Sequence, residues 1–167
     1  MLNVLFGVRK WKQKYFEINK QLHLIFLDVT FKANGTPGHG SLLLKNTAGQ
    51  KISYLLDKFM DYRASQVKML EDNKELTIGD VTTVNVTLLN GGVQSNVVPP
   101  QFQVTIDMRL SLQVNHQDFE NMFKTWCDEA GGDITYIFHQ KQPYVVPTKI
   151  DKSNEYWVAF QEAIQEM

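Results

Sequence analysis

Along 22–33 the chain alternates, Leu27, Val29 and Phe31 interleaving with Asp28, Thr30 and Lys32. A period of two in β-branched and aromatic residues predicts a half-buried strand. The turn cluster Asn34-Gly35-Thr36-Pro37-Gly38 ends it, and His39 stands immediately beyond. The period then changes. Thr47 followed by Gln50 has capping-box form, and Ile52, Leu55, Leu56 and Phe59 recur at helical spacing, so a long helix with one buried stripe is predicted to about Asp72. Alternation returns over 81–88, with Val84, Val86 and Leu88 on one predicted face and Asn85 and Thr87 on the other, until Asn90-Gly91-Gly92 breaks it. After a loop at 93–100, Phe102, Val104, Ile106 and Met108 mark a cleaner half-buried strand. Asn115 caps a second helix whose Phe119, Met122, Phe123, Trp126, Cys127 and Ala130 share a face, and Gly131-Gly132 stops it. A fourth strand is predicted over 134–138. Pro143 and Pro147 punctuate a linker, and a further helix bearing Trp157, Phe160 and Ile164 starts near Ser153.

The order strand, helix, strand, strand, helix, strand over 22–142 predicts an α+β fold of ferredoxin-like βαββαβ type. Its four-stranded antiparallel sheet would carry both helices on one face. Residues 143–167 read as a linker and the start of a helix whose apolar face finds no partner in that pattern. The expectation is a piece of something longer, with that helix returning to a missing domain. Residues 1–21 form a basic leader of different character. The apolar stretch 1–8 precedes Arg9, Lys10, Lys12 and Lys14, the reverse of a secretory signal.

Composition narrows the function classes. At 167 residues the chain makes one domain or little more. Seventeen basic against eighteen acidic residues leave a net charge of −1, so no broad attraction to nucleic acid or an anionic membrane is expected. The apolar runs are too short to cross a bilayer. A single cysteine, Cys127, excludes a disulfide framework and multi-cysteine metal sites, and its place on a buried stripe reads as packing. The four histidines (His23, His39, His116, His139) are scattered, without HExxH, and there is no GxSxG, P-loop or GxGxxG. No metal ligand is assigned. Three positions stand out. His39 follows a Gly/Pro turn that can present its imidazole, Asn96 sits in the loop GGVQSNVVPP whose glycines and prolines aim its amide, and Arg109 shares a strand face with Asp107. Each also reads as ordinary structure: a turn histidine, a loop asparagine bonding its own backbone, a surface strand salt bridge.

PGHGS at 37–41, TTVNVTLLNGGVQSNVVP at 82–99 and IDMRLS at 106–111 resemble the lid, or dimerisation, domain of the zinc exopeptidase–amidohydrolase family, of the cytosolic aminoacylase type. FENMFKTWCDEAGG and SNEYWVAFQEA extend the likeness from about residue 24 to the C-terminus, with thirteen positions from Asn96 to Arg109. The resemblance implies a lid inserted into a catalytic domain whose zinc ligands and general-base glutamate lie outside this chain. Zinc would belong to the full-length family enzyme, none would be bound here, and the chain alone would be inactive. The resemblance further implies a cytoplasmic homodimer, paired through the edge strand at 81–88 and the helix at 48–72, that hydrolyses N-acyl-L-amino acids to a carboxylate and a free amino acid. In it, His39 would reach into the partner's active site and donate a hydrogen bond to the oxyanion, Asn96 would hold the substrate, and Arg109 would accept its free carboxylate. Gly40 departs from the family pattern and is expected to leave the loop more flexible. An alternative is a catalytically inactive dimerisation or interaction module from a truncated or spliced product. An unrelated ferredoxin-like binding domain leaves the spacing of His39, Asn96 and Arg109 unexplained.

Overall fold

The computed structural model describes residues 25–143, 149 and 151–166, with the side chains of 165 and 166 left aside. The leader 1–21 and Pro147 lie outside the described residues. The chain divides into two compact units, one of residues 24–144 and one of 1–23 with 145–167.

The larger unit is built around β1 (Ile25–Asn34), in which Ile25, Leu27, Val29, Phe31 and Ala33 are buried and their alternates half-buried. On one side β1 pairs antiparallel with β5 (Gln101–Leu110), Val29 opposite Ile106 and Phe31 opposite Val104. On the other side it pairs with β6 (Ile134–Lys141), and β5 in turn pairs with β3 (Thr83–Gly91). The sheet order β3-β5-β1-β6, antiparallel throughout, is the predicted ferredoxin-like arrangement, with β3 and β6 as its edges.

Both helices cover one face. The first, α1 (Ala48–Asp72), begins in a capping box: Thr47 Oγ1 accepts from the Gln50 amide, and the Gln50 side chain accepts from the Thr47 amide. The second, α2 (His116–Glu129), starts at Asn115, whose side-chain oxygen accepts from the amides of Gln117 and Asp118. Ile52, Leu55 and Phe59 from α1 and Phe119, Phe123, Trp126 and Cys127 from α2 meet the inner face of the sheet. Phe31 is the hub, its ring 5.3 Å from that of Phe59 and 5.5 Å from those of Phe123 and Tyr136. Burial pushes the Cys127 thiol up to about 11, which makes it an inert packing group. Outside the core the Tyr54 hydroxyl donates to Glu129 at 2.6 Å, with Lys58 3.6 Å away, tying α1 to the end of α2. That hydrogen bond first, and the lysine second, hold the Glu129 carboxyl below its ordinary range.

Two features escape a period-two reading. Pairing of β3 with β5 slips between Val86 and Leu88, so Leu88 stands opposite Thr105 on the open face and Leu89 opposite Val104. Alternation alone groups Leu88 with Val84 and Val86; a bulge adds one residue and flips every side chain after it. The second feature is a two-stranded ribbon at one end of the sheet, β2 (Gly38–His39) with β4 (Val97–Val98), too short to leave a pattern.

In the smaller unit the predicted last helix is α3 (Glu155–Glu166). Asn154 caps it, its side-chain oxygen accepting from the amides of Tyr156 and Trp157 at 3.1 and 3.3 Å. No helix among the described residues is long and apolar enough to cross a membrane.

Candidate functional site

The ribbon stands on a pinned base. Where β1 ends, the Gly35 amide donates to the Pro100 carbonyl at 2.9 Å and the Thr36 amide to the Asn46 carbonyl at 3.0 Å. A Cβ on Gly35 would lie 2.0 Å from the Ala48 nitrogen and 2.4 Å from the Thr47 carbonyl carbon. Only glycine lets the strand exit pass this close to the start of α1. Residues 36–46 are thereby closed into a loop across the end of the sheet, and that loop carries His39.

On the ribbon His39 pairs with Val97, and the Gly40 amide donates to the Asn96 carbonyl at 2.7 Å. A Cβ on Gly40 would come within 3.1 Å of that oxygen. The glycine expected to loosen the loop is therefore the point at which the two segments are tied. The Leu42 amide closes a turn onto the His39 carbonyl at 3.0 Å. Inside it the His39 Nδ1 lies 2.7 Å from the Ser41 hydroxyl and accepts from the Ser41 amide at 3.3 Å. His39 and Asn96 are both exposed, and so are the apolar tips around them, Leu42, Leu43 and Val93, the second and third almost wholly.

The structure brings His39 and Asn96 together and sets Arg109 apart. Arg109 pairs with Phe26 on β1 and Thr83 on β3, at the opposite end of the sheet. It stands seven residues along β5 from Phe102, about 23 Å at the usual rise of a strand. Its guanidinium stacks 3.6 Å over the Phe26 ring, and Nε and Nη2 donate to the two carboxylate oxygens of Asp107 at 3.0 Å each. Nη1 is buried with no hydrogen-bond partner. The salt bridge legible in the sequence is present, and one amino group is left over. Facing Asp107 across the strands is Asp28, whose Oδ1 is also buried without a partner.

Sequence reasoning missed the support of these groups: Ser41 on the imidazole, the Asn96 carbonyl on Gly40, and Phe26 under Arg109. Only the Asp107–Arg109 spacing signalled a contact in advance. The other described histidines serve elsewhere. The His139 Nε2 bonds Thr30, which bonds Thr105, along a cavity of about 530 Å³ on the open face of the sheet. His116 opens α2, where burial pushes its imidazole below the ordinary value of 6.5. Among the described residues no group of three or more His, Cys, Asp or Glu side chains could hold a metal ion, and these three histidines lie on separate elements. The donor set does not fit zinc, and no step is assigned to it here.

The larger unit thus presents a four-stranded sheet with helices on one face, an edge strand with Val86, Leu88 and Leu89 exposed, and a histidine-bearing ribbon at one end. The chain matches the peptidase dimerisation domain over residues 24–135 and belongs to that family. Its curated relatives are more particular. It is 36% identical over 141 residues to aminoacylase-1B of Rattus norvegicus and to aminoacylase-1 of Homo sapiens, in matches covering 83% of this chain and 34% of each of those proteins. To aminoacylase-1 of Dictyostelium discoideum it is 30% identical over 150 residues, 83% of this chain and 36% of that protein. The chain thus spans about a third of the length of the curated relatives it matches. Among solved structures, it is similar to a tripeptidase from Staphylococcus aureus (TM-score 0.53, 17% identity, 86% of this chain and 35% of that one). An aminopeptidase from Bacillus cereus gives a TM-score of 0.50 at 16% identity, again over 86% and 35%. At such identities the likeness is one of fold.

Proposed function

We propose that this chain is the lid and dimerisation part of a zinc-dependent aminoacylase, a cytoplasmic homodimer that hydrolyses N-acyl-L-amino acids to a carboxylate and a free amino acid. The observation that carries the reading is the ribbon, which holds His39 beside Asn96 in the open at one end of a sheet whose outer strand is apolar. As an amide carbonyl is attacked, its oxygen gains negative charge. A preorganised N–H from His39 would stabilise that charge by about 3–4 kcal/mol, judged by the loss when such a donor is removed elsewhere. The Asn96 amide would hold the substrate beside it. The guanidinium of Arg109, a planar cation already oriented by Asp107 and Phe26 and still partly exposed, would take the substrate carboxylate.

One chain cannot gather these groups, because Arg109 lies about 23 Å along its strand from the ribbon end. Two chains can. If β3 pairs antiparallel with its two-fold mate, the Thr83 end of one strand lies beside the Gly91 end of the other. Arg109 of one lid then faces His39 and Asn96 of its mate. This supports a trans role for His39. Subunits of the complete enzyme carrying His39→Ala, mixed with subunits dead in the catalytic domain, are expected to regain N-acetyl-L-methionine hydrolysis that neither shows alone. No regain in verified heterodimers would refute the trans role. The isolated chain is expected to bind no stoichiometric zinc and to turn nothing over; tight zinc with turnover would overturn the whole reading.

A further inference from the structure

We propose that Ser41 is a positioning residue that fixes the tautomer of His39, with the ring proton on Nε2. The inference deepens the donor role just given to His39 and rests on it only for its catalytic meaning; the geometry stands alone. A backbone N–H can donate and never accept, and the Ser41 amide points at Nδ1 from 3.3 Å. With that hydrogen in place, Nδ1 must present its lone pair. The Ser41 hydroxyl, 2.7 Å from the same nitrogen, then has to donate as well, because two hydrogens cannot share the line between Oγ and Nδ1. A neutral ring with Nδ1 committed as an acceptor carries its proton on Nε2, the nitrogen free to meet a ligand.

The chain around the ring enforces this arrangement. The Leu42 amide to the His39 carbonyl closes the turn, and the Gly40 amide to the Asn96 carbonyl anchors it from the neighbouring strand. A Cβ on Gly40 would crowd that approach, standing 3.1 Å from the oxygen. These two bonds fix the chain on either side of the Ser41 amide and keep it within reach of Nδ1. The backbone of the substrate-holding loop thus takes part in orienting the histidine, through the Asn96 carbonyl and not its side chain. Catalytically, an Nε2–H is what a developing oxyanion needs; the opposite tautomer would offer it a lone pair.

The test is made on this chain, with histidine ¹⁵N-labelled, above the pH at which imidazole is neutral. Long-range ¹H–¹⁵N correlation reads which ring nitrogen bears the proton, and loss of one set of signals in His39→Gln assigns them. We expect wild-type His39 to show a protonated Nε2 and a hydrogen-bonded, unprotonated Nδ1. Ser41→Ala loses the hydroxyl bond but keeps the backbone N–H, so Nδ1 should shift part of the way toward the signal of an unbonded imine nitrogen while the proton stays on Nε2, whereas Ser41→Thr should keep the wild-type pattern. A protonated Nδ1 in wild type, or a Ser41→Ala ring indistinguishable from wild type, would overturn the proposal. Because no substrate is present, an aminoacylase reading that failed in the heterodimer assay would leave this result intact, and the converse holds.

Discussion

Replacing Leu88 with lysine tests the proposed edge-strand contact apart from the fold. The bulge turns Leu88 onto the open face opposite Thr105, outside the core cluster, and it stays 57% exposed in the single chain. Burying a whole leucine is worth about 1.5–3 kcal/mol, so its remaining exposure is worth about 0.9–1.7 kcal/mol per copy. A two-fold contact counts that amount twice, giving about 2–3 kcal/mol. At 1.4 kcal/mol per decade, the dimer dissociation constant of Leu88→Lys should rise roughly 30- to 140-fold. Two ammonium groups brought near the axis would add to the loss. Sedimentation equilibrium over a concentration series measures the constant, and an unchanged far-ultraviolet circular dichroism spectrum shows that the sheet survives. The control is Ile137→Lys: Ile137 is somewhat more exposed than Leu88 on the same open face, but on β6, at the other edge. It should leave the constant unaltered. Dissociation caused by Ile137→Lys and not by Leu88→Lys would refute pairing through β3.

Two further outcomes concern stability. Phe31→Ala removes the ring shared by Phe59, Phe123 and Tyr136, and should cost about 3–5 kcal/mol; urea unfolding with an unchanged m value checks it, and a loss under about 1 kcal/mol would contradict the hub role. His116 is held below its ordinary value first by burial and then by Lys141, against the opposing pull of Glu120, so the fold favours the neutral ring. That contribution is complete above the unfolded value of about 6.5 and is lost as pH falls through the folded one, because the unfolded chain takes the proton first. Between pH 7.5 and 5.5 the melting temperature of wild type should therefore fall further than that of His116→Asn, and equal falls would count against it.

The sequence made the frame of the larger unit legible because its strands and helices differ in period and their ends carry strong signals. Thr47 with Gln50, and Asn115 ahead of α2, are caps recognisable from residue type and spacing alone. Legibility stopped where one residue changes a count. The bulge after Val86 reverses Leu88 and Leu89, and nothing in the residue types announces it. The ribbon has two residues on each strand, below the length at which alternation means anything. Arg109 is instructive in a different way. Thirteen positions from Asn96 is a family spacing, yet most of that interval is the extended strand β5, and an extended strand carries its two ends apart. The Asp107 partner was readable from a separation of two; the orphaned Nη1 depends on how Phe26 and the neighbouring strands enclose the guanidinium.

The distance between the two ends of β5 also decides how damage is inherited. On the antiparallel pairing proposed above, each pocket draws its histidine from one copy and its arginine from the other. Suppose one copy has lost His39 and its mate has lost Arg109. Both defects then fall in the same pocket, and the second pocket is whole. Place both losses on a single copy and each pocket receives one, so no whole pocket is left even though the mate is intact. In a cell expressing two versions of the chain, two changes carried together would silence mixed dimers, while the same two changes carried separately would leave them half active.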